Sequence, residues 1–84
     1  MNRVQLLDGR EVDSASYAWL LECRDRDAEA RSVLAMPHIE TRRAHLQKYE
    51  SRHGAEARRR LEGVIRQIWD ARRAAADAAR SRAG

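Results

Sequence analysis

Residues 61–69 decide the fold, and they read Leu61-Glu62-Gly63-Val64-Ile65-Arg66-Gln67-Ile68-Trp69. The apolar residues Leu61, Val64, Ile65 and Ile68 fall at i, i+3, i+4 and i+7, the spacing of a stripe along one side of an α-helix. Polar side chains occupy the opposite side. The stretch therefore predicts a long amphipathic helix, and the rest of the chain has to cover its stripe.

The chain is short, which limits how much apolar surface it can bury. It has 84 residues, of which 36% are charged with both signs well mixed. A chain of this size buries only about 60 to 65 per cent of its unfolded surface, so its stability is marginal. Its core also leaves no room for an enclosed substrate cavity. We therefore expect a non-enzymatic protein without a cofactor.

A short hairpin is predicted at the N-terminus, over residues 3–12. Asp8-Gly9 tolerates the positive φ values of a two-residue type I′ turn, and Val4, Leu6 and Val12 flank it. An isolated hairpin is barely stable in water, so we expect one of its faces to pack on helices. The alternative is an exposed edge that is offered to a partner strand.

Three helices are predicted after the hairpin. The first begins at one of the capping side chains in residues 13–16 and ends near Ala35. The second contains Pro37 in its first turn and ends at Gly54, where glycine relieves left-handed geometry. The third restarts at Ala55 and runs to about residue 80, antiparallel to the second. The fold class is thus mainly α, a three-helix arrangement with a short N-terminal β-hairpin.

The first helix has a polar middle, residues 24–31. Glu22 and Arg26, and likewise Asp27 and Arg31, are i, i+4 pairs of the favourable orientation. We interpret this middle as a solvated bridge between two apolar ends. At the far end of the chain, residues 74–84 contain no large apolar side chain. We expect a domain over residues 1–73 and an Ala/Arg-rich tail, helical or frayed, over residues 74–84.

Metal binding is one candidate function, because four residues have side chains that can ligate zinc: Cys23, His38, His45 and His53. The three histidines are seven and eight residues apart, which separates their α-carbons by about 10 to 12 Å along a helix. Ligands have to converge within about 2 Å of one ion. We therefore expect no metal site. Cys23 has no hydrolase pattern around it, and it cannot form an internal disulfide because it is the only cysteine.

The partner-binding candidates are Trp19, Trp69, Arg66 and Arg73. Trp69 lies at the edge of the apolar stripe, where the third helix begins to extend past its neighbours, and tryptophan is enriched among residues that dominate interface energetics. The competing interpretation is a tryptophan that the hairpin covers. Two copies paired about a two-fold axis would bury the surplus apolar surface, so we expect a homodimer. The alternative is a monomer that keeps this surface for another partner.

Nucleic-acid binding is the alternative function. Arg59, Arg66, Arg73 and Arg80 recur every seven residues, and such a basic helix face can lie on a phosphate backbone. Acidic residues are interleaved on the same face, and no recognition-helix motif is evident. We therefore favour a solvated, salt-bridged face over a nucleic-acid interface.

One resemblance covers nearly the whole domain. It rests on residues 6–12 (Leu6-Leu7-Asp8-Gly9-Arg10-Glu11-Val12), Glu22-Cys23, Glu29-Ala30-Arg31, Val33-Leu34, Met36-Pro37, Arg42-Arg43-Ala44-His45-Leu46, Gly54, Leu61-Glu62 and Trp69. In these residues the chain resembles small accessory proteins of tailed phages and prophages of proteobacteria. The resemblance implies a small binder that inhibits or redirects a bacterial host protein inside the infected cell. Without a signal peptide or an apolar run that spans a membrane, we expect a cytoplasmic location.

Overall fold

A computed structural model describes residues 2–83, and of Ala83 the backbone only. Met1 and Gly84, the last residue of the expected tail, lie outside the described residues. The elements are β1 (Arg3–Gln5), β2 (Glu11–Asp13), α1 (Tyr17–Ala35), α2 (Ile39–His53) and α3 (Ala55–Ala83). The strands pair antiparallel. The predicted fold class, three helices after an N-terminal hairpin, is confirmed.

The hairpin forms, but its predicted two-residue type I′ turn is wrong. Val4 pairs with Val12, and the Leu6 N–H donates to the Arg10 carbonyl at 2.8 Å, which leaves a three-residue loop. The Gly9 N–H closes a β-turn onto the Leu6 carbonyl at 3.0 Å, and within the described chain positive φ occurs only at glycines, here Gly9 with φ 92°. This is the geometry of a type I turn followed by a left-handed residue.

Asp8 explains why the loop is longer by one residue. Its carboxylate accepts from the Arg10 N–H at 3.0 Å and from the Arg10 Nε at 2.7 Å. The backbone N–H and then the guanidinium of Arg10 hold the pKa of the Asp8 carboxyl below its ordinary value. The two bonds fix a turn in which Gly9, and not Asp8, takes the left-handed position.

The boundaries of α1 follow from its flanking residues. Ser16 is the N-cap, and its Oγ accepts from the Trp19 N–H at 3.3 Å, which identifies the cap among the candidates in residues 13–16. At the other end, Met36 is extended (φ −72°, ψ 126°) because the proline that follows it disfavours helical geometry. The helix therefore ends at Ala35, as predicted.

The start of α2 differs from the prediction, and its end does not. Pro37 lies outside α2, because His38 is also extended (φ −112°, ψ 135°) and acts as the N-cap of a helix that begins at Ile39. Gly54 ends α2 with φ 96° and donates its N–H to the Glu50 carbonyl at 2.7 Å. Helix α3 starts at the next residue, so one glycine forms the whole connection.

The core is a thin layer where α1 and α2 pack on α3. Leu61 is fully buried at 0% exposure, together with Ala57, Ala30, Val33 and, from the hairpin loop, Leu6. The other members of the predicted stripe, Val64, Ile65 and Ile68, are half-buried. The stripe of α3 is thus the surface on which the fold is built, and α1 covers it more completely than α2 does.

The polar middle of α1 is solvated only in part, and its interpretation as a solvated bridge is wrong for Arg26. Arg26 is buried, with an exposed fraction of 8%. Its Nη2 donates to Glu22 Oε2 at 2.8 Å, and Glu22 Oε1 accepts from the Leu7 N–H at 2.6 Å. The i, i+4 ion pair therefore connects α1 to the hairpin inside the structure. By contrast, the pair of Arg31 with Asp27 is exposed.

Helix α3 extends beyond the other elements, as predicted. Its 29 residues span about 43 Å at 1.5 Å per residue, against about 22 Å for the 15 residues of α2. Every side chain from Trp69 to Arg82 is exposed. The helix continues without a break past residue 73, so residues 74–83 form a helical extension of the domain.

Candidate functional site

An open groove of about 450 Å³ lies where the C-terminal end of α1 meets α2 and α3. Its apolar lining consists of Val33, Leu34, Ile39, Leu46, Ile65 and Trp69. Its polar lining consists of Arg42, Arg43, Glu62, Arg66 and Asp70. We call it the Trp69 groove. It contains two of the four residues that we predicted to bind a partner, Trp69 and Arg66.

The Trp69 groove has a buried floor and exposed apolar edges. Val33 on the floor is 2% exposed, and Leu34, Leu46 and Ile65 are half-buried. On the edges, Trp69 is 50% exposed and Ile39 is 54% exposed. Large apolar side chains that converge on one concavity while half in water are the usual content of a binding groove.

The antiparallel pairing of α2 and α3 builds the groove. Glu50 lies near the connection, and its Oε2 is 3.3 Å from Arg58 Nη1. At the far end of the same pair, Ile39 lines the groove together with Trp69. Since α2 begins at Ile39 and α3 continues, nothing on α2 covers Trp69 beyond that point.

The connection from α1 to α2 is held in place by Arg42. Its Nε donates to the Met36 carbonyl at 2.8 Å, and its backbone N–H donates to the His38 carbonyl at 3.2 Å. Met36 also donates its N–H to the Val33 carbonyl at 3.1 Å. These bonds fix the wall of the groove that Ile39 belongs to.

The free charges of the groove are positive. Arg43 and Arg66 are exposed, and within residues 2–83 neither has a carboxylate within 4.0 Å. Of the two acidic side chains, Glu62 already has a partner, since its Oε1 lies 3.5 Å from Arg58 Nε. Asp70 is exposed on α3, one residue after Trp69. The groove thus presents two unpaired guanidinium groups beside one unpaired carboxylate.

The other predicted partner-binding residues lie elsewhere. Arg73 is exposed on the extension of α3, one turn beyond Trp69. Trp19 is half-buried on the hairpin side, around a depression that it shares with Val4 and Val64, and Arg26 lies over its ring. The structure therefore does not bring Trp19 and Trp69 together. It also shows that the hairpin does not cover Trp69, which is on the side of α2.

The arginine row is exposed along α3, but half of it is ion-paired. Arg59 Nη2 lies 3.5 Å from Glu56 Oε2, and Arg80 Nη2 lies 3.6 Å from Asp77 Oδ1. Arg66 and Arg73, the other two members, have no such pair among the described residues. Successive arginines of the row are about 10.5 Å apart along the axis.

Nine of the eleven groove residues were not among the predicted site residues, and they include Ile39, Arg43 and Leu46 on α2. The signal for these three was present in the sequence, because Ile39, Arg42, Arg43 and Leu46 fall at i, i+3, i+4 and i+7. The position of that face of α2 beside Trp69 depends on the register of the antiparallel pair. The register follows from the one-residue connection at Gly54.

A second open cavity lies between the hairpin loop, α1 and the end of α2, and its lining combines apolar side chains with several charged ones. Its lining includes Arg26, Glu22, Glu29 and Tyr49. Burial raises the pKa of the Tyr49 hydroxyl, the carboxylates of Glu29 and Glu22 add to this, and Arg26 opposes it. These groups are engaged in holding α1, α2 and the hairpin together, and the lining contains no serine or cysteine nucleophile.

The metal-ligand candidates do not converge. Among residues 2–83, no group of three or more His, Cys, Asp or Glu side chains is placed to hold a metal ion. His45 Nε2 contacts Glu29 Oε1 on α1, and the His53 ring lies 4.7 Å from that of Tyr49. His38 is the N-cap of α2, and Cys23 is half-buried on α1.

The described part of the chain has no helix that combines the length and the apolar content needed to cross a membrane. A family model, described as a family of unknown function (DUF7696), matches residues 12–72. The match begins at β2 and ends close to Trp69, where α3 leaves the other elements. No curated protein and no solved structure matches the chain.

Proposed function

The chain belongs to DUF7696, a family of unknown function, and we propose that it is a non-enzymatic protein–protein interaction module that binds its partner in the Trp69 groove. The partner is a bacterial host protein, which the module inhibits or redirects in the cytoplasm. This setting comes from the resemblance to phage and prophage accessory proteins. The binding surface comes from the geometry of the groove.

The exposure of Trp69 and Ile39 carries the proposal. The two side chains are about half exposed and line one groove whose floor is already buried. A partner side chain placed between them removes apolar surface from water at about 25 cal/mol per Å². Tryptophan is one of the residue types that most often dominate binding energy.

Nucleic-acid binding through the arginine row has weaker support. Two of its four members, Arg59 and Arg80, are already paired with carboxylates on the same helix. A phosphate backbone that lies on the row has to displace these pairs or share them, which lowers the gain from each contact. The two unpaired members are Arg66, in the groove, and Arg73, one turn beyond Trp69.

The test is affinity capture from a proteobacterial lysate with three baits: the native chain, Trp69→Ala and Leu20→Ala. Leu20 is a matched control, because it is 57% exposed and lies on α1 about 20 Å of helix before the groove residues Val33 and Leu34. We expect proteins that the native chain and Leu20→Ala retain equally and that Trp69→Ala loses. Equal capture by all three baits would contradict the proposal.

A titration with labelled duplex DNA at low salt tests the alternative function. Under the proposal, binding is no tighter than micromolar and does not depend on Trp69. Binding much tighter than that, with a steep dependence on salt and with losses for Arg59→Glu and Arg66→Glu alike, would replace the proposal with the nucleic-acid function.

A further inference from the structure

We infer that the element which the Trp69 groove receives is an acidic amphipathic helix of the partner. The inference rests on the proposed function, since it names the chemistry of the partner that binds in the same groove. Three observations carry it: the length of the groove, the charges that are left unpaired around it, and the arginines that continue beyond it on α3.

The length of the groove fits two turns of helix. On α3 its lining runs from Glu62 to Asp70, and on α2 it runs from Ile39 to Leu46. At 1.5 Å per residue these segments are about 12 Å and about 10.5 Å long. Apolar anchors at i, i+3 or i+4, and i+7 of a bound helix span about the same distance, which is how amphipathic helices bind apolar grooves.

The unpaired charges favour a bound helix that has acidic residues beside its apolar anchors. Arg43 on α2 and Arg66 on α3 lie on the lining of the groove, and both guanidinium groups are exposed without an ion pair in the described residues. Glu62 is engaged by Arg58, so it offers less to a cationic partner. Glutamates beside the apolar anchors of a bound helix would therefore find an arginine on either wall.

The arginines continue where the groove ends. Arg73 and Arg80 follow Trp69 at i+4 and i+11, which places both on the side of α3 that carries Trp69. From Asp70 to Arg82 the exposed extension adds about 18 Å. A bound helix that leaves the groove past the start of α2 runs beside this extension. Its acidic face there meets Arg73, which has no ion pair among the described residues, and then Arg80, which it has to share with Asp77.

The distribution of charge along the chain also favours an acidic partner. Residues 2–30 carry four arginines and seven acidic side chains, whereas residues 31–83 carry 13 basic and six acidic side chains. All of the groove and the described extension of α3 belong to the second, basic part. An acidic partner is therefore steered to the side of the molecule that has the groove.

The experiment uses labelled peptides of about four helical turns and the native chain. The first peptide has leucines at i, i+3, i+4 and i+7 with glutamates at the flanking positions. The second has lysines in place of the glutamates, and the third keeps the glutamates but has serines in place of the leucines. Fluorescence anisotropy gives each affinity. We expect the first peptide to bind most tightly, and the second and third to bind more weakly by at least about tenfold.

Charge reversal in the protein locates the contact. Arg43→Glu and Arg66→Glu are exposed changes that break no hydrogen bond or ion pair among the described residues, so both variants keep the fold, as thermal melting will verify. Arg59→Glu is the matched control, seven residues before Arg66 in the same row and outside the groove. We expect both groove variants to lose about tenfold in affinity for the acidic peptide and to gain affinity for the lysine peptide, whereas Arg59→Glu changes neither.

Three results would overturn the inference: equal affinity for the acidic and the lysine peptide, equal losses for Arg59→Glu and Arg66→Glu, or no measurable binding of the acidic peptide. The last result together with capture from lysate that depends on Trp69 would leave the proposed function intact with a different kind of partner. Capture that does not depend on Trp69 would contradict both the proposed function and the inference of an acidic helix. The peptide and the lysate assays therefore separate the two failures.

Discussion

The guanidinium of Arg26 lies 5.5 Å from the centroid of the Trp19 ring, and the same group donates to Glu22 at 2.8 Å. Glu22 in turn accepts the Leu7 N–H from the hairpin loop. A buried cation thus fills the space between the hairpin and α1 that a larger domain would fill with apolar side chains. The hairpin is further attached to α3, because Arg60 Nη1 donates to the Gln5 carbonyl at 2.8 Å.

Loss of Glu22 should therefore destabilise the protein strongly. Glu22→Ala leaves the Arg26 charge buried without its partner, which costs roughly 3 kcal/mol in the free energy of unfolding. Asp27→Ala is the matched control, because the Arg31–Asp27 pair has the same spacing and the same 2.8 Å distance but is exposed. It should cost less than about 0.5 kcal/mol. Urea unfolding of both variants measures the difference, and equal effects would show that burial does not distinguish the two pairs.

The burial of Arg26 was not predicted from the sequence. The C-terminal ends of α1 and α2 were predictable because local chemistry determines them: the proline after Met36 and the glycine at position 54. The N-cap of α1 was predicted only to within residues 13–16, and the start of α2 was placed at Pro37 instead of Ile39. The burial of Arg26 depends on what packs over α1. Trp19, Arg26, Ala30 and Val33 follow one another at +7, +4 and +3, so extending the apolar positions backwards would have placed Arg26 in the buried stripe.

The hairpin turn and the groove were missed for a similar reason. Asp8-Gly9 suits both a type I′ turn and the last two positions of a three-residue loop, and the bonds from Asp8 to Arg10 decide between them. Of the residues that line the groove, the sequence singled out Trp69 and Arg66 from their place on α3. Ile39 and Arg43 were not singled out, because a contact between two helices depends on register and not on the pattern of either helix alone.

Two substitutions on the α3 stripe should lower the free energy of unfolding by different amounts. Leu61→Ala removes the largest fully buried side chain and should cost roughly 3 kcal/mol. Ile65→Ala acts on a half-buried side chain that lines the Trp69 groove, so it should cost only about 1 kcal/mol. Thermal melting of both variants is the measurement. A melting temperature that Leu61→Ala leaves unchanged would show that the stripe is not the core.

Tyr49 should make the protein sensitive to alkali. Burial raises the pKa of its hydroxyl above the ordinary value of 10.0. The folded state then binds the proton more tightly than the unfolded state, so this stabilisation is complete below the unfolded pKa and is lost as pH rises through the folded pKa. Above about pH 10, urea unfolding should show a larger loss of stability for the native chain than for Tyr49→Phe. Parallel losses would assign the pH dependence to other groups.

Removal of residues 74–84 should leave the domain folded. The described side chains from Ala74 to Arg82 are all exposed, so the truncation uncovers no core residue. We expect the melting temperature to change by less than about 3 °C, while the far-UV circular dichroism loses the contribution of the deleted turns. A truncated chain that unfolds at room temperature would show that the extension is part of the stable fold.

The last prediction concerns self-association. The exposed apolar edges of Trp69 and Ile39 by themselves favour a two-fold dimer, since one self-complementary patch would cover both copies. The charges oppose it. A two-fold axis at the groove brings Arg43 and Arg66 of one copy near the same arginines of the other, and like charges across an interface are repulsive.

We therefore expect the native chain to be a monomer at low ionic strength, with a mass near 9.7 kDa in sedimentation equilibrium at tens of micromolar. Added salt screens the arginines, so any dimer should appear at high salt and should disappear in Trp69→Ala. Arg43→Glu should promote dimerisation at low salt, because it turns repulsion with Arg66 of the second copy into attraction. A tight dimer of the native chain at low salt, lost in Trp69→Ala, would instead identify the second copy as the occupant of the groove.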